Sequence, residues 1–304
     1  MNDAPKKREK RNLSGWLVFT KPYDMSSTEA VGKLRWLYGA KKGGHAGTLD
    51  PLATGILPIA FGEATKTVPY IQDGTKVYQF DIVWGSQTST DDIEGEVIAT
   101  SDMRPSLGQL EAALPAFTGT ITQIPPAFSA IKIKGERAYD LARAGEKLDM
   151  PAREVTIDAI EVLSHSLERS RLSVTCAKGT YVRALARDIA EMLGTKGHVG
   201  ALHRAQVGPF GDSDAISLEM VEAASESERD AMLLAPSAGL QDLEEVRVDA
   251  NQATIIRRGN PVLLTGRDAP VALDEAWASH RGEAVAIGYV ENGQFKPSRV
   301  ILPS

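Results

Sequence analysis

Residues 43 to 62 read GGHAGTLDPLATGILPIAFG and hold a single carboxylate, Asp50, with no lysine or arginine in the run. Five glycines and two prolines impose a particular backbone path, and the many apolar residues set that path against a core. An ionised carboxylate in such surroundings is costly unless a cation or several donors meet it. Taken alone, Leu-Asp-Pro is a loop corner whose aspartate bonds its own backbone. The motifs around the run reverse that reading.

On its N-terminal side, Trp16 to Thr20 is a short apolar strand running into Lys21-Pro22. Ser26 and Glu29 have capping-box spacing, and Val31, Leu34, Leu37 and Tyr38 follow at helical intervals up to Gly39. On the C-terminal side, Tyr78, Phe80, Ile82 and Trp84 alternate with Gln79, Asp81 and Val83, a strand with one apolar face. Leu107, Leu110, Leu114 and Phe117 predict a helix ending near Gly119. Val155, Ile157, Ile160 and Val162 predict a bulged strand, followed by a second through Leu172, Val174 and Cys176. Residues 180–193 predict a helix with Tyr181, Leu185, Ile189 and Met192 on one stripe and an Arg187–Glu191 pair. Strands and helices mix without a βαβ rhythm, so the expectation is α+β with a largely antiparallel mixed sheet and flanking helices.

The chain has 304 residues, enough for one large core and a small satellite. Its only thiol is Cys176, and its five histidines form no His-Glu-x-x-His set, so neither a disulfide nor a metal centre is expected. Neither a phosphate-binding Walker loop nor a dinucleotide fingerprint is present, and no cofactor is expected. No apolar stretch is long enough to cross a membrane and no signal-peptide core leads the chain, which predicts a cytoplasmic protein without membrane contact. The net charge of −6 is unevenly spread: residues 1–50 carry +5, and residues 211–250 carry −9. Nucleic-acid binding depends on local patches, so the acidic total does not exclude it. Residues 1–12 are expected to be a disordered basic tail, and residues 13–245 the main body. The acidic segment is expected to carry one helix over 217–234. From residue 246 the composition shifts to short strands, with a helix from Gln252 to Arg258 and a hairpin turning at Asn292-Gly293.

Several separate motifs in one order resemble the TruB-type tRNA pseudouridine synthases over residues 13–210. Lys21-Pro22 with Ser26-Ser27 resembles the family's opening motif, and the run with His45 and Asp50 resembles its catalytic one. Lys66 follows, then Lys76-Val-Tyr78, the internal block QIPPAFSAIKIKGERAYDLARAGE at 123–146, Lys178-Gly-Thr-Tyr181-Val-Arg183, and the segment with Leu202. Two departures stand out: Ser89 where the family often has aspartate, though Asp92 is kept, and His203-Arg204-Ala205 where it favours Arg-Arg-Thr. These bear on RNA contacts and leave the nucleophile untouched.

The resemblance implies the pseudouridine synthase fold with a small C-terminal β-barrel of PUA type over 246–304. It implies an isomerase that forms pseudouridine at position 55, in the T-loop of tRNA, after flipping the target base. Asp50 is the implied catalytic carboxylate, Arg183 its counter-charge, and Tyr78 and Leu202 the groups flanking the uracil. His45, Tyr181, Lys21 and Lys66 are the remaining implied substrate contacts. Lys41, Lys42, Lys66, Lys132, Lys134 and Arg143 are candidates for phosphate contact. The partner is tRNA alone, bound by a monomer. A rival reading is a non-catalytic RNA-binding or RNA-folding protein of the same fold; others are a guide-RNA-dependent synthase and a base-excising glycosylase. Release of free base would mark the glycosylase.

Overall fold

Apolar residues at four consecutive positions, Trp16 to Phe19, make the first strand, β1 (Gly15–Lys21), buried on both faces. In the computed structural model, which describes residues 10–129, 131–133, 135–144 and 148–303, β1 leads into α1 (Ser27–Tyr38). Residues 1–9 of the expected tail and Lys134 lie outside the described residues. The Ser26/Glu29 capping box forms at the start of α1, and Gly39 closes it at φ 62°. Such a cap contributes about 1 kcal/mol.

Next come β2 (Gly43–His45), β3 (Thr54–Phe61), α2 (Val68–Asp73), β4 (Lys76–Trp84), and the short pair β5 (Ser86–Thr88) and β6 (Val97–Thr100). α3 (Leu107–Ala113), β7 (Gly119–Gln123), the pair β8 (Lys132–Ile133) and β9 (Glu136–Arg137), and α4 (Ala138–Arg143) follow. Then come β10 (Arg153–His165), β11 (Arg169–Cys176), α5 (Val182–Met192) and β12 (Gly197–Val207). β13 (Phe210–Gly211), α6 (Leu218–Ala223), α7 (Glu226–Ala231) and β14 (Glu244–Arg247) lead to α8 (Ala250–Arg257), β15 (Val262–Leu263), β16 (Leu273–His280), β17 (Glu283–Glu291) and β18 (Gln294–Val300). The chain divides into two units, one made of residues up to Pro51, Gly55–Asp73 and those from Val207 on, the other of Leu52–Thr54 and Gly74–Gln206.

In the first unit β1 pairs antiparallel with β3 from Gly15↔Phe61 to Lys21↔Gly55, and β2 pairs with β3 through His45↔Ile59. Trp16, Val18, Ile56, Ile71 and Phe210 share a core with small alanines, and the Trp16 indole N–H donates to Thr67 Oγ1 at 3.0 Å. The acidic segment belongs here and is not one helix. Ser225 restarts the chain with its own capping box, so α6 and α7 replace the expected 217–234 helix. The segment closes the open edge of β1: Trp16 and Leu234 exchange both backbone bonds at 2.8 Å, and Ile216 bonds Val18 and Thr20. Its acids meet the basic N-terminus, with Glu222 on Lys33 at 2.7 Å and Asp230 and Glu226 on Arg11. Arg11, counted in the tail from sequence, is thus anchored.

The C-terminal strands form a five-stranded sheet in the order β14-β16-β17-β18-β15, a curled half-barrel that fits a PUA-like module. Asn292 and Gly293, at φ 52° and 72°, make its hairpin turn. Trp277, Ile287 and Ile301 of this sheet pack with Leu240, against Tyr70 of α2. A polar clasp lies beside them. Lys66 Nζ donates to Glu63 at 2.6 Å and to Val300 O at 2.8 Å, and the Leu302 N–H donates to Glu63 at 2.8 Å.

In the second unit β12, β4, β11, β10 and β7 lie side by side in that order. The pairs β4–β11, β11–β10 and β10–β7 are antiparallel. The expected bulge falls between Ile157 and Ala159, with another between Val162 and Ser164. In α5 Leu185 and Ile189 are buried as predicted, whereas Met192 is 55% exposed, because the stripe ends one turn earlier.

Trp277→Ala is expected to lower stability by about 3 kcal/mol, read from the urea midpoint. A loss below about 1 kcal/mol would show that this cluster does not hold the C-terminal sheet.

Candidate active site

Asp50 sits half-buried in the loop between β2 and β3, and the residues on both sides of it are tied down. Ser27, the first residue of α1, donates its hydroxyl to Leu49 O and accepts the Leu49 N–H, both at 2.9 Å. Pro51 O accepts the Asp24 N–H at 3.0 Å and Lys21 Nζ at 3.0 Å. The Lys21 ammonium, at 1% exposure, also donates to Pro22 O at 2.9 Å and Met25 O at 2.7 Å. Its three N–H bonds are spent on three carbonyls. A buried cation survives only when it is satisfied in this way. Lys21 therefore locks the end of β1, the entry to α1 and the residue after Asp50 into one knot. His45 stands half-buried at the end of β2, opposite Ile59. Lys66 is held in the clasp with Glu63 and Val300.

The other residues singled out from sequence belong to the second unit. Tyr78 is half-buried on β4, opposite Val174 of β11, and Leu202 is 8% exposed on β12. Tyr181 precedes α5, where Gln123 grips its backbone twice: the Tyr181 N–H donates to Oε1 at 2.8 Å, and Nε2 donates to Tyr181 O at 3.1 Å. The Arg153 guanidinium lies 5.5 Å from the centre of the Tyr181 ring. Arg183, at 6% exposure, donates to Thr90 O at 3.2 Å and Phe128 O at 2.9 Å, and faces Asp92 at 3.4 Å. Asp92 is itself 2% exposed and accepts the Thr90 hydroxyl and the Glu94 N–H. Arg183 is thus a buried side chain rather than a surface one.

Asp92 and Gln123 are the positioning residues that sequence reasoning passed over. Signals for both existed, since Asp92 is the aspartate kept beside the Ser89 departure and Gln123 opens the internal block. The expected Arg187–Glu191 pair does not form. Arg187 instead meets Asp91 and Asp188, each at 2.9 Å, while Glu191 faces Lys196. Burial pushes the Asp91 carboxyl above its ordinary value, although Arg187 opposes the shift. Of the two departures, His203 has its Nδ1 within 2.9 Å of Thr54 Oγ1, at the start of β3.

Burial pushes the Cys176 thiol up to about 11, so no thiolate is available near neutral pH. Among the described residues no group of three His, Cys, Asp or Glu side chains could hold a metal ion. The loop that carries Asp50 is anchored on both sides, at Leu49 and at Pro51.

Replacing Lys21 by Met is expected to cost about 2 kcal/mol or more, because three carbonyls lose their donor. Thermal unfolding of the variant measures this. An unchanged midpoint would show that the knot is redundant.

The model for the TruB family pseudouridylate synthase N-terminal domain matches residues 35–182, and that for the tRNA pseudouridylate synthase B C-terminal domain matches residues 183–246. The tRNA pseudouridine synthase B of Brucella ovis is 52% identical over 97% of both chains. That of Mesorhizobium japonicum is 50% identical over 97% of this chain and 98% of its own. Among solved structures, one described as "Crystal Structure of a Cbf5-Nop10-Gar1 Complex" is 22% identical, covers 95% of this chain and 85% of its own, and has a TM-score of 0.75. Another, "Structure of H/ACA RNP bound to a substrate RNA containing 2'-deoxyuridine", is 20% identical over 95% and 85%, with a TM-score of 0.72. These two show the shared fold, and the sequence matches show the kinship: the chain belongs to the TruB family of pseudouridylate synthases.

Proposed function

We propose that the chain converts uridine to pseudouridine in tRNA, at T-loop position 55, with Asp50 as the essential carboxylate. The relatives that match it over 97% of its length share the name tRNA pseudouridine synthase B, and this carries the reading. The reaction breaks the N1–C1′ bond, turns the uracil and joins C5 to C1′. C5 gives up a proton and N1 gains one, so composition and oxidation state are unchanged. No metal, nucleotide or redox partner is needed. The Asp50 carboxylate serves the bond change in one of three ways: adding to the base, trapping the ribose, or removing the C2′ proton. The anchored Leu49-Asp50-Pro51 backbone supports this assignment.

The target nucleotide must leave its stack, at a cost of a few kcal/mol that phosphate contacts and loop shape offset. Tyr78 stacks on the everted base, and its hydroxyl assists loss of the C5 proton; Leu202 packs against the ring. His45 holds the everted arrangement, Tyr181 contacts the substrate, and Arg183 is the counter-charge of the carboxylate. The body 13–245 carries the chemistry and residues 246–304 position the RNA, in a monomer acting in the cytoplasm.

Incubation with an unmodified tRNA transcript followed by mapping of pseudouridine tests the activity and its position. Asp50→Asn is expected to abolish turnover while leaving tRNA binding within about an order of magnitude, since phosphates and shape supply the affinity. A near-normal rate in that variant removes Asp50 from its role.

Arg183→Lys is expected to slow the single-turnover rate at saturation on the order of a hundredfold, the typical effect of misplacing a reacting group by about an ångström. Lysine keeps the charge, but it cannot bridge Thr90 O, Phe128 O and Asp92 as the planar fork does. A Lys variant with an unchanged rate would rule out this role.

A further inference from the structure

Just before the Asp50 run, the chain passes a cleft of about 260 Å³ in the first unit. Three cations, Arg11, Lys41 and Lys42, line it against one carboxylate, Glu63. Glu63 is already committed. Burial alone would raise its pKa, but the Leu302 N–H, Lys66 and, through space, Lys42 outweigh that and hold the group below its ordinary value. Arg11 is likewise committed to Asp230 and Glu226.

Lys41 and Lys42 differ from both. Their backbones are fixed, Lys41 O by Arg35 Nη2 at 3.2 Å and Lys42 O by the Gly62 N–H at 3.1 Å, while their side chains are exposed. Neither ammonium has an ion-pair partner among the described residues. Two fixed cations beside a neutralised carboxylate make a positive site in a chain whose net charge is −6.

A Cβ at Gly62 would stand 2.2 Å from Leu13 O and 2.5 Å from Ser14 Oγ, and Gly62 holds φ at 52°, so any side chain there disrupts the site. Ser14 Oγ accepts the Glu63 N–H at 3.1 Å, which leaves its own hydrogen to donate into the cleft.

Cations on a fixed backbone, a hydroxyl donor and a neutralised carboxylate suit a phosphodiester group. We infer that this cleft is a second anchoring point for the tRNA, binding its sugar–phosphate backbone through Lys41 and Lys42. The inference rests on tRNA being the substrate. It assigns the cleft affinity only, with no part in the bond change, because its lysines carry no base-reading geometry.

The test is equilibrium binding of unmodified tRNA, by filter retention, across a range of salt concentrations. For Lys41→Ser/Lys42→Ser, the slope of log affinity against log salt is expected to fall by about 1.5, and affinity near 0.1 M salt by about tenfold. The charge-retaining Lys41→Arg/Lys42→Arg variant should keep both, which separates lost charge from damaged folding. Unchanged affinity and slope in the serine variant overturn the proposal. So does a loss in the arginine variant as large as that in the serine one. A third overturning result is inorganic phosphate binding that the serine variant loses while tRNA affinity stays intact, which marks a small-anion site. Mapping pseudouridine in parallel with wild-type protein keeps the outcomes distinct. Absence of product with intact, lysine-dependent binding refutes the proposed reaction and spares the cleft.

Discussion

The buried ammonium of Lys21 is the constraint on which the placement of Asp50 depends. A charge at 1% exposure is tolerated because three carbonyls receive its three hydrogens. Those carbonyls come from the end of β1, the turn into α1 and the residue after Asp50. One side chain thus converts three flexible corners into a single geometry. The full β1–β3 register, ending at Lys21↔Gly55, delivers the ammonium to that point. Ser27 adds the second tie, on Leu49. A carboxylate whose neighbours are held on both sides loses little entropy when substrate arrives, and this is the physical content of preorganisation.

Local chemistry was legible in the sequence wherever a short pattern decides it. The Ser26/Glu29 box, Gly39 as a helix stop, the Asn292-Gly293 turn and the bulge after Ile157 all follow from a few adjacent residues. Patterns whose partner lies elsewhere were misread or missed. Arg187 has Glu191 one helical turn away, yet it meets the buried Asp91, 96 positions earlier. The partners of Lys66, Glu63 and Val300, likewise come together only in the fold. The break between α6 and α7 falls where the polar run Ser225 to Asp230 interrupts the apolar spacing, and the Ser225/Glu228 capping box marks it in the sequence as well. In the candidate site, motif order supplied the residue names, and the roles of Asp92 and Gln123 emerged only from contacts.

Charge distribution has a similar explanation. Residues 211–250 carry −9 and fold against a basic N-terminal stretch, where Glu222, Glu226 and Asp230 take up Lys33 and Arg11. Part of this segment's acidity is therefore internal compensation. Each of these part-exposed pairs contributes little stability, because solvent screens it. Their larger effect is to remove cations from the surface and leave the remaining ones, among them Lys41 and Lys42, as a local exception.

The backbone bonds that Leu234 and Ile216 make to β1 also set a timetable for synthesis. β1 leaves the ribosome early, but the residues that cover its open edge follow about 200 positions later. At roughly 5–20 residues per second, that edge waits on the order of ten to forty seconds. An apolar, unpaired strand edge is a template for wrong pairing during such an interval. Nascent chains of this protein should therefore depend on chaperones until residue 234 emerges. Stalling translation before that point would favour aggregation, whereas stalling after it would leave a protected strand.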